Sequence, residues 1–290
     1  MFSIIIPTYN KLRQTDVAIR NLIYLIDEKY KGNYEIIVAI DGSQDGSNEY
    51  FLEFNRINSR IKVVFTNKAE AKRANPGLAR NAGLKAAIGD VIAFMDCEVI
   101  HMLDPITPTL EILKEKGETT IVKGVQNRIL QNGEFIESSP DNPVMPHGGW
   151  LSGYKKQFMK IGGYDERFQI YGREDNDIAT RLQKDGNSFV SAKNIMYYVL
   201  FETDSGRDSS EHAKYETIDR VQLEYCRDAL FNPETMARNI GKEWGVYHKL
   251  PVVKPLPKNP EYCTSVQADR LEKLLNIAID KLVPSRDRKV

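Results

Sequence analysis

The 290-residue sequence has no surplus of charge of either sign: 40 Lys and Arg stand against 40 Asp and Glu. That balance excludes the broad basic surface with which nucleic-acid binders meet phosphates. Cysteine is scarce as well. Cys97, Cys226 and Cys263 are widely spaced, odd in number and without a Cys-x-x-Cys pair. This excludes a disulfide framework and a zinc ribbon and makes the reducing cytoplasm the expected location. No apolar run approaches the roughly 18 residues of a membrane-spanning helix. The first such run, Phe2 to Ile6, stops at Pro7 with no basic stretch ahead of it, so no leader peptide is expected. Internal repeats and low-complexity tracts are also missing. What is present is an ordinary globular composition, 41% hydrophobic, which supports a sizeable core and argues against disorder.

The first hundred residues alternate short apolar runs with helical patterns. Strands are expected at Phe2–Ile6, Tyr34–Ile40, Ile61–Phe65 and Val91–Met95, and helices at Asp16–Glu28 and Asp45–Phe54. A further helix should open at Asn75-Pro76, an N-cap followed by proline in the first turn, and run to Ile88. Continuous β-branched strands alternating with helices point to a parallel sheet covered on both faces. Beyond Pro105 the pattern loosens. Thr119–Val125 reads as a strand, Asn132-Gly133 as a hairpin turn, Ser139–Gly153 as an ordered loop, and Lys155–Lys160 and Glu174–Lys184 as helices. Phe189–Phe201 reads as extended and the remainder as mostly helical. Val266, Leu271, Leu274, Leu275, Ala278 and Leu282 share one face of a last helix, suited to docking on the body or on a second subunit, with peripheral membrane contact as the lesser reading.

Open α/β sheets bind ligands at the carboxyl ends of their strands. Asp41 ends the second strand, within Asp41-Gly42-Ser43-Gln44-Asp45-Gly46-Ser47. A carboxylate there can accept the imide N–H of uracil, with small residues letting the base approach; equally, the segment makes a turn in which Asp45 or Ser47 caps a helix. Asp96-Cys97-Glu98 closes the fourth strand, as two carboxylates able to reach one Mg²⁺ or Mn²⁺, or as a solvated acidic turn. Glu174-Asp175-Asn176-Asp177 places acids in the first turn of a helix, where they complement its dipole or supply a general base. Arg80 and Asn81 are either base or phosphate contacts, or a surface charge and a packing residue.

Taken in order, Ser3 to Asn10, Asp41 to Ser47 and Leu78-Ala79-Arg80-Asn81-Ala82-Gly83 resemble the nucleotide-sugar half of a family 2 glycosyltransferase. Gly89 to Glu98 is similar to the family's strand leading into its Asp-x-Asp metal motif. Gly162-Gly163-Tyr164-Asp165-Glu166-Arg167-Phe168 with Gly172-Arg173-Glu174-Asp175-Asn176-Asp177 resembles its acceptor-side Glu-Asp motif. The resemblance covers roughly residues 2 to 200. It implies a GT-A fold: an α/β, Rossmann-like, mostly parallel sheet flanked by helices, here with a mainly helical C-terminal extension. Residues 1–100 would form the nucleotide-sugar half, 101–202 the acceptor and catalytic half, and 203–290 the extension.

The same resemblance implies inverting transfer from a nucleoside-diphosphate sugar, uridine being favoured by Asp41, to a carbohydrate or other hydroxyl acceptor in glycan or polysaccharide synthesis. Pro7, Thr8, Tyr9 and Asp41 would hold the nucleoside, with Arg80 beside the base. Asp96 would face the ribose and, with Glu98, a Mn²⁺ or Mg²⁺ ion; Asp175 would be the general base and Glu174 would place the acceptor. His147 to Gly153 is similar to the loop flooring the sugar site, with Gly149, Trp150 and Arg173 as sugar and acceptor contacts, although Trp150 also reads as a core residue. Two departures stand out. Glu98 occupies a position where Asp is usual. The histidine that many relatives carry after the strand following the Glu-Asp helix is missing from Tyr197–Phe201, leaving His212 as the nearest substitute ligand or as an exposed side chain.

Two other classes compete. A sugar nucleotidyltransferase needs a Gly-rich, basic loop after the first strand, which Pro7-Thr8-Tyr9-Asn10 is not. A non-catalytic sugar-binding module has no need of both acidic motifs. On the favoured reading Asp41, Asp96, Glu98, Glu174 and Asp175 converge on one cleft. Their charge is expected to be balanced by a metal ion rather than by the chain's own lysines and arginines.

Overall fold

Every residue of β1 (Phe2–Thr8) and β2 (Tyr34–Ile40) is buried, which requires cover on both faces of the sheet they form. The computed structural model describes residues 1–66, 74–129, 135–137, 148–168, 172–200, 222–227, 237–239 and 241–251. β3 (Ile61–Phe65) pairs parallel to β2, and β4 (Val91–Phe94) parallel to β1. Side chains alternate across these strands. Ile4 and Ile6 share a core cluster with Ala18, Ile19, Leu22 and Ile26 of α1 (Leu12–Tyr30). Ile5 and Ile37 lie in the opposite cluster, with Ala79, Ala82 and Leu84 of α3 (Pro76–Ala86). Helix and strand approach closely there: a Cβ on Gly83 would lie 2.3 Å from Ile5 Cγ2.

The start of α3 follows from its sequence. The Asn75 side chain accepts the Leu78 N–H at 3.0 Å, and Pro76 takes the first helical position, where its missing N–H leaves nothing unsatisfied. α2 (Ser47–Ile57) begins within the Asp41–Ser47 turn. Asp45 accepts the Ser47 N–H at 3.1 Å and tightens the turn, but Gly46 at φ 90° is the N-cap and no side chain caps the helix, so neither Asp45 nor Ser47 takes the capping role expected of one of them.

Beyond β4 the sheet becomes mixed. β8 (Leu151–Tyr154) runs antiparallel between β4 and β6 (Thr120–Ile129). β9 (Ser188–Leu200) runs parallel to β6, and β5 (Val99–His101) lies antiparallel on the far side of β9. β7 (Phe135–Glu137) pairs antiparallel with β6, flanking the expected Asn132-Gly133 turn, which lies outside the described residues. The order is β3-β2-β1-β4-β8-β6-β9-β5, so strands from Phe2 to Leu200 join in one sheet. α5 (Lys155–Lys160) and α6 (Glu174–Lys184) have the bounds read from the sequence.

Three expectations change. Leu151–Gly153 is strand rather than loop, because small Ser152 and Gly153 let β8 pack tightly; a Cβ on Gly153 would sit 2.7 Å from Gln157 Oε1. α4 (Ile106–Lys116) stands where no element was expected, its first turn held by Asp104 Oδ1, which accepts the Ile106 N–H at 2.8 Å. Of the C-terminal part, residues 222–227 are helical, whereas 237–239 and 241–251 form turns and a bridge between His248 and Phe65. The last expected helix and His212 lie outside the described residues. Among the described residues no helix is long and apolar enough to cross a membrane.

Candidate active site

The loops after β1 and β2 are laced together by side chains that bond backbone. The Asn10 N–H donates to Ser43 Oγ at 3.0 Å, and Asn10 Oδ1 accepts the Gln44 N–H at 2.7 Å. Asp45 Oδ2 accepts the Leu12 N–H at 2.8 Å, seating the start of α1 on the same turn. Pro7 and Thr8 are buried at the end of β1, and Tyr9 is half-buried. Asp41 is 1% exposed. Its Oδ1 accepts from Thr66 Oγ1 at 2.9 Å and its Oδ2 from the Asn75 N–H at 2.8 Å. Asp41 therefore anchors the N-terminus of α3.

Arg80, one turn further along α3, is the hub of the cleft. Its side chain is 1% exposed, and its Nη2 donates to Asp96 Oδ1 at 2.7 Å. Its Nη1 donates to Asp175 Oδ1 at 3.2 Å and lies 3.4 Å from Glu174 Oε1. The guanidinium carbon also stands 5.0 Å from the centre of the Tyr164 ring. The structure thus places Arg80 against Asp96, Glu174 and Asp175. Burial alone opposes its charge, but the fields of Tyr164, Asp175, Asp96 and Glu174 outweigh burial and hold it protonated well above its ordinary value. The planar fork suits this work, since it offers several donors in fixed directions and does not lose its proton.

The two acids of α6 differ in environment. Glu174 is 2% exposed, and its Oε2 accepts the Gly172 N–H at 2.7 Å. Burial raises its pKa above the usual carboxylate value, against the pull of Arg80. Asp175 is 21% exposed and is the member of the pair that solvent or substrate can reach. The turn before them is unusual: Gly172 has φ 118° and Arg173, the N-cap, has φ 69°. Positive φ at a non-glycine residue stores strain that neighbouring structure must hold. Here a helical stretch outside the expected motifs does so. Gln222 Nε2 donates to the Gly172 carbonyl at 2.9 Å, and Cys226 Sγ lies 3.6 Å from the Arg173 carbonyl oxygen.

The Gly148-Gly149-Trp150 segment meets the same cleft from the other side. The Asp96 N–H donates to the Gly148 carbonyl at 2.9 Å, and a Cβ on Gly148 would fall 2.4 Å from Asp96 Oδ2 and 2.7 Å from Arg80 Nη2. Position 148 is therefore glycine because the acid and the guanidinium occupy the space. Gly149 lies against the Tyr197 ring, 1.9 Å from where its Cβ would stand. Trp150 is fully buried, stacks on Phe2 at 6.1 Å and donates to Thr109 Oγ1 at 3.1 Å. It is a core residue and offers no face to a sugar.

Asp96 and Glu98 are 30% and 20% exposed, and both carboxylates already meet a cation of the chain: Arg80 for Asp96, the Lys11 ammonium for Glu98. The expectation that only a metal ion would balance these acids is therefore corrected: lysine and arginine share that task. Neither cation was singled out from sequence for this pairing, since Lys11 follows β1 and meets Glu98 only through the fold. Among the described residues no three His, Cys, Asp or Glu side chains cluster to hold a metal alone. The donor set nonetheless fits Mn²⁺ or Mg²⁺. Such hard ions at nucleotide sites take one or two carboxylates and complete their shell with phosphate and water.

Comparison with known proteins shows the family to which the chain belongs. The chain is 26% identical over 232 residues to the amylovoran biosynthesis glycosyltransferase AmsB of Erwinia amylovora, covering 74% of each chain. It is 27% identical over 240 residues to the chondroitin synthase of Escherichia coli, covering 68% of this chain but only 34% of that longer protein. The mannosyltransferase PcManGT of Pyrobaculum calidifontis, solved with GDP-Man and Mn²⁺, superposes with a TM-score of 0.58 at 15% identity. That match covers 98% of this chain and 76% of the other and supports the GT-A fold. Residues 3–177 match the sequence profile described as glycosyl transferase family 2, and the chain belongs to that family.

Proposed function

We propose that this glycosyltransferase moves a sugar from a nucleoside-diphosphate donor to an acceptor hydroxyl with inversion, Asp175 acting as general base. The observation that carries the proposal is the Arg80 fork, which bonds Asp96 at the end of the donor strand and Asp175 on the acceptor-side helix. A donor lodged over Asp96 and an acceptor lodged over Asp175 would meet within the reach of one side chain. Uridine is the favoured nucleoside because Asp41 can accept an imide N–H. The amylovoran biosynthesis for which AmsB is named, and the GDP-Man bound to PcManGT, support a nucleoside-diphosphate sugar donor and a glycan acceptor.

Asp175 takes the proton of the acceptor hydroxyl as its oxygen bonds the anomeric carbon. The bond from that carbon to the diphosphate oxygen breaks on the opposite face, and the nucleoside diphosphate leaves with the electron pair. Glu174, buried and bonded to the Gly172 N–H, orients the first turn of α6 so that Asp175 faces the acceptor. Asp96 and Glu98 would hold Mn²⁺ or Mg²⁺, which when bound neutralises charge on the departing diphosphate. Residues 1–100 supply the donor side and 101–202 the acceptor side, with 203–290 appended.

The test is release of nucleoside diphosphate from a panel of UDP-, GDP- and dTDP-sugars, with and without Mn²⁺. Removing a general base typically costs about 10²–10⁴-fold in rate. Asp175→Asn should lose turnover on that scale while UDP binding, followed by calorimetry, stays unchanged. Near-normal turnover in Asp175→Asn refutes the assignment.

A further inference from the structure

The two cations of the cleft are held very differently. Arg80 is 1% exposed and serves three carboxylates. Withdrawing it would leave those acids uncompensated in a partly dry site, so it is a permanent part of the structure. Lys11 is 38% exposed and ends a flexible four-carbon stem at the start of α1, bonding Glu98 from 87 residues away in the chain. An ammonium of this kind is a compact, mobile charge that exchanges readily for water.

We propose that Lys11 is the exchangeable occupant of the divalent-cation position: its ammonium neutralises Glu98 in the ligand-free protein and is displaced when the metal ion binds. This rests on the assignment of Glu98 as a metal ligand. Two physical reasons make ammonium and divalent ion mutually exclusive. Both draw on the Glu98 carboxylate, whose Oε2 the ammonium already holds, and two cations at adjoining positions repel each other. The protein therefore competes with the metal for its own ligand. Ligand-free protein should bind metal more weakly than its carboxylates alone would allow, and Glu98 stays ordered and compensated while the cleft is empty of substrate.

The experiment is titration of the intact chain with Mn²⁺ alone, following the paramagnetic resonance signal of the free ion, with thermal melts to verify folding. Breaking a partly exposed ion pair and removing a nearby like charge should tighten Mn²⁺ binding to Lys11→Met by about three- to tenfold. Lys11→Arg, which keeps the positive charge, should bind Mn²⁺ about as the native chain does. Glu98→Gln should lose most Mn²⁺ affinity, and adding Lys11→Met to it should restore none. Lys11→Met binding Mn²⁺ no more tightly than the native chain, while Glu98→Gln loses affinity, overturns the exchange and leaves the metal site standing. Native Mn²⁺ affinity in Glu98→Gln overturns the metal-site assignment and the exchange together.

Discussion

Acidification should weaken this fold through one residue in particular, His101. It is 2% exposed at the end of β5, and neither ring nitrogen has a hydrogen-bond partner among the described residues. Its ring stands edge-on to Trp150 at 4.9 Å and tilted to Tyr197 at 5.8 Å. Burial pushes its pKa down from 6.5 to about 3, with Asp104 opposing weakly. In the unfolded chain the same imidazole takes its proton near 6.5. Between those two values the unfolded state binds more protons, so stability is fully present above the unfolded pKa and is lost as pH falls. At about 1.4 kcal/mol per pH unit, the loss reaches about 2 kcal/mol at about pH 5. Other groups act in both directions. Burial raises Glu174 and Asp177, which favours folding as pH falls, whereas Asp104 and Asp165 are lowered and oppose it at more acid pH. The informative measurement is therefore a difference: urea unfolding of native protein and His101→Phe across about pH 7.5 to about pH 5. The native chain should lose about 2 kcal/mol more than the variant over that range. Parallel stability curves would refute the reasoning, because they would mean that His101 finds a proton-accepting partner in the folded state.

Trp150→Ala should cost about 3–5 kcal/mol in urea unfolding, and Trp150→Phe should leave the donor KM unchanged, since the indole packs on Phe2 rather than on a ligand. Arg80→Met should destabilise by about 3 kcal/mol near neutral pH. The loss follows because Asp96, Glu174 and Asp175 are left without the guanidinium they share. Gln222→Ala frees the Gly172 carbonyl and should lower kcat by roughly tenfold through misplacement of the α6 acids, with UDP affinity unchanged by calorimetry and Gln222→Asn partly restoring turnover.

Local features could be read from the sequence wherever the controlling interaction spans a few residues. Asn75-Pro76 is such a case, because the cap, the proline and the Leu78 N–H lie within one turn. The acids of Glu174–Asp177 likewise announce a helix start. β8 could not be read, since Leu-Ser-Gly-Tyr has little strand preference and pairs only because β4 and β6 stand on either side. α4 hid behind Asp104-Pro105, whose Asp104 bonds to the Ile106 N–H carry a start signal that its proline neighbour obscures. The site motifs were legible as types, and several roles were not. Arg80 looks like a surface or phosphate-contacting residue until α6 and Gly148 enclose it, and Lys11 has no local mark of its pairing with Glu98. Gln222 lies beyond the 3–177 span of the family profile, so no motif pointed to it.

The neutral composition takes on a different meaning inside the cleft. Asp96, Glu98, Glu174 and Asp175 contribute four carboxylates, and Arg80 and Lys11 contribute the two cations that meet them. Formally that leaves two negative charges in excess, the amount a single divalent ion carries, before any anionic donor arrives. A diphosphate entering without a metal ion would face Asp96 and Glu98 directly and be repelled. With the ion in place and Lys11 displaced from Glu98, the same diphosphate would meet two positive centres instead. On the proposed reading metal and donor would therefore bind as partners, while Arg80, held by Asp96, Glu174 and Asp175, stays in place throughout.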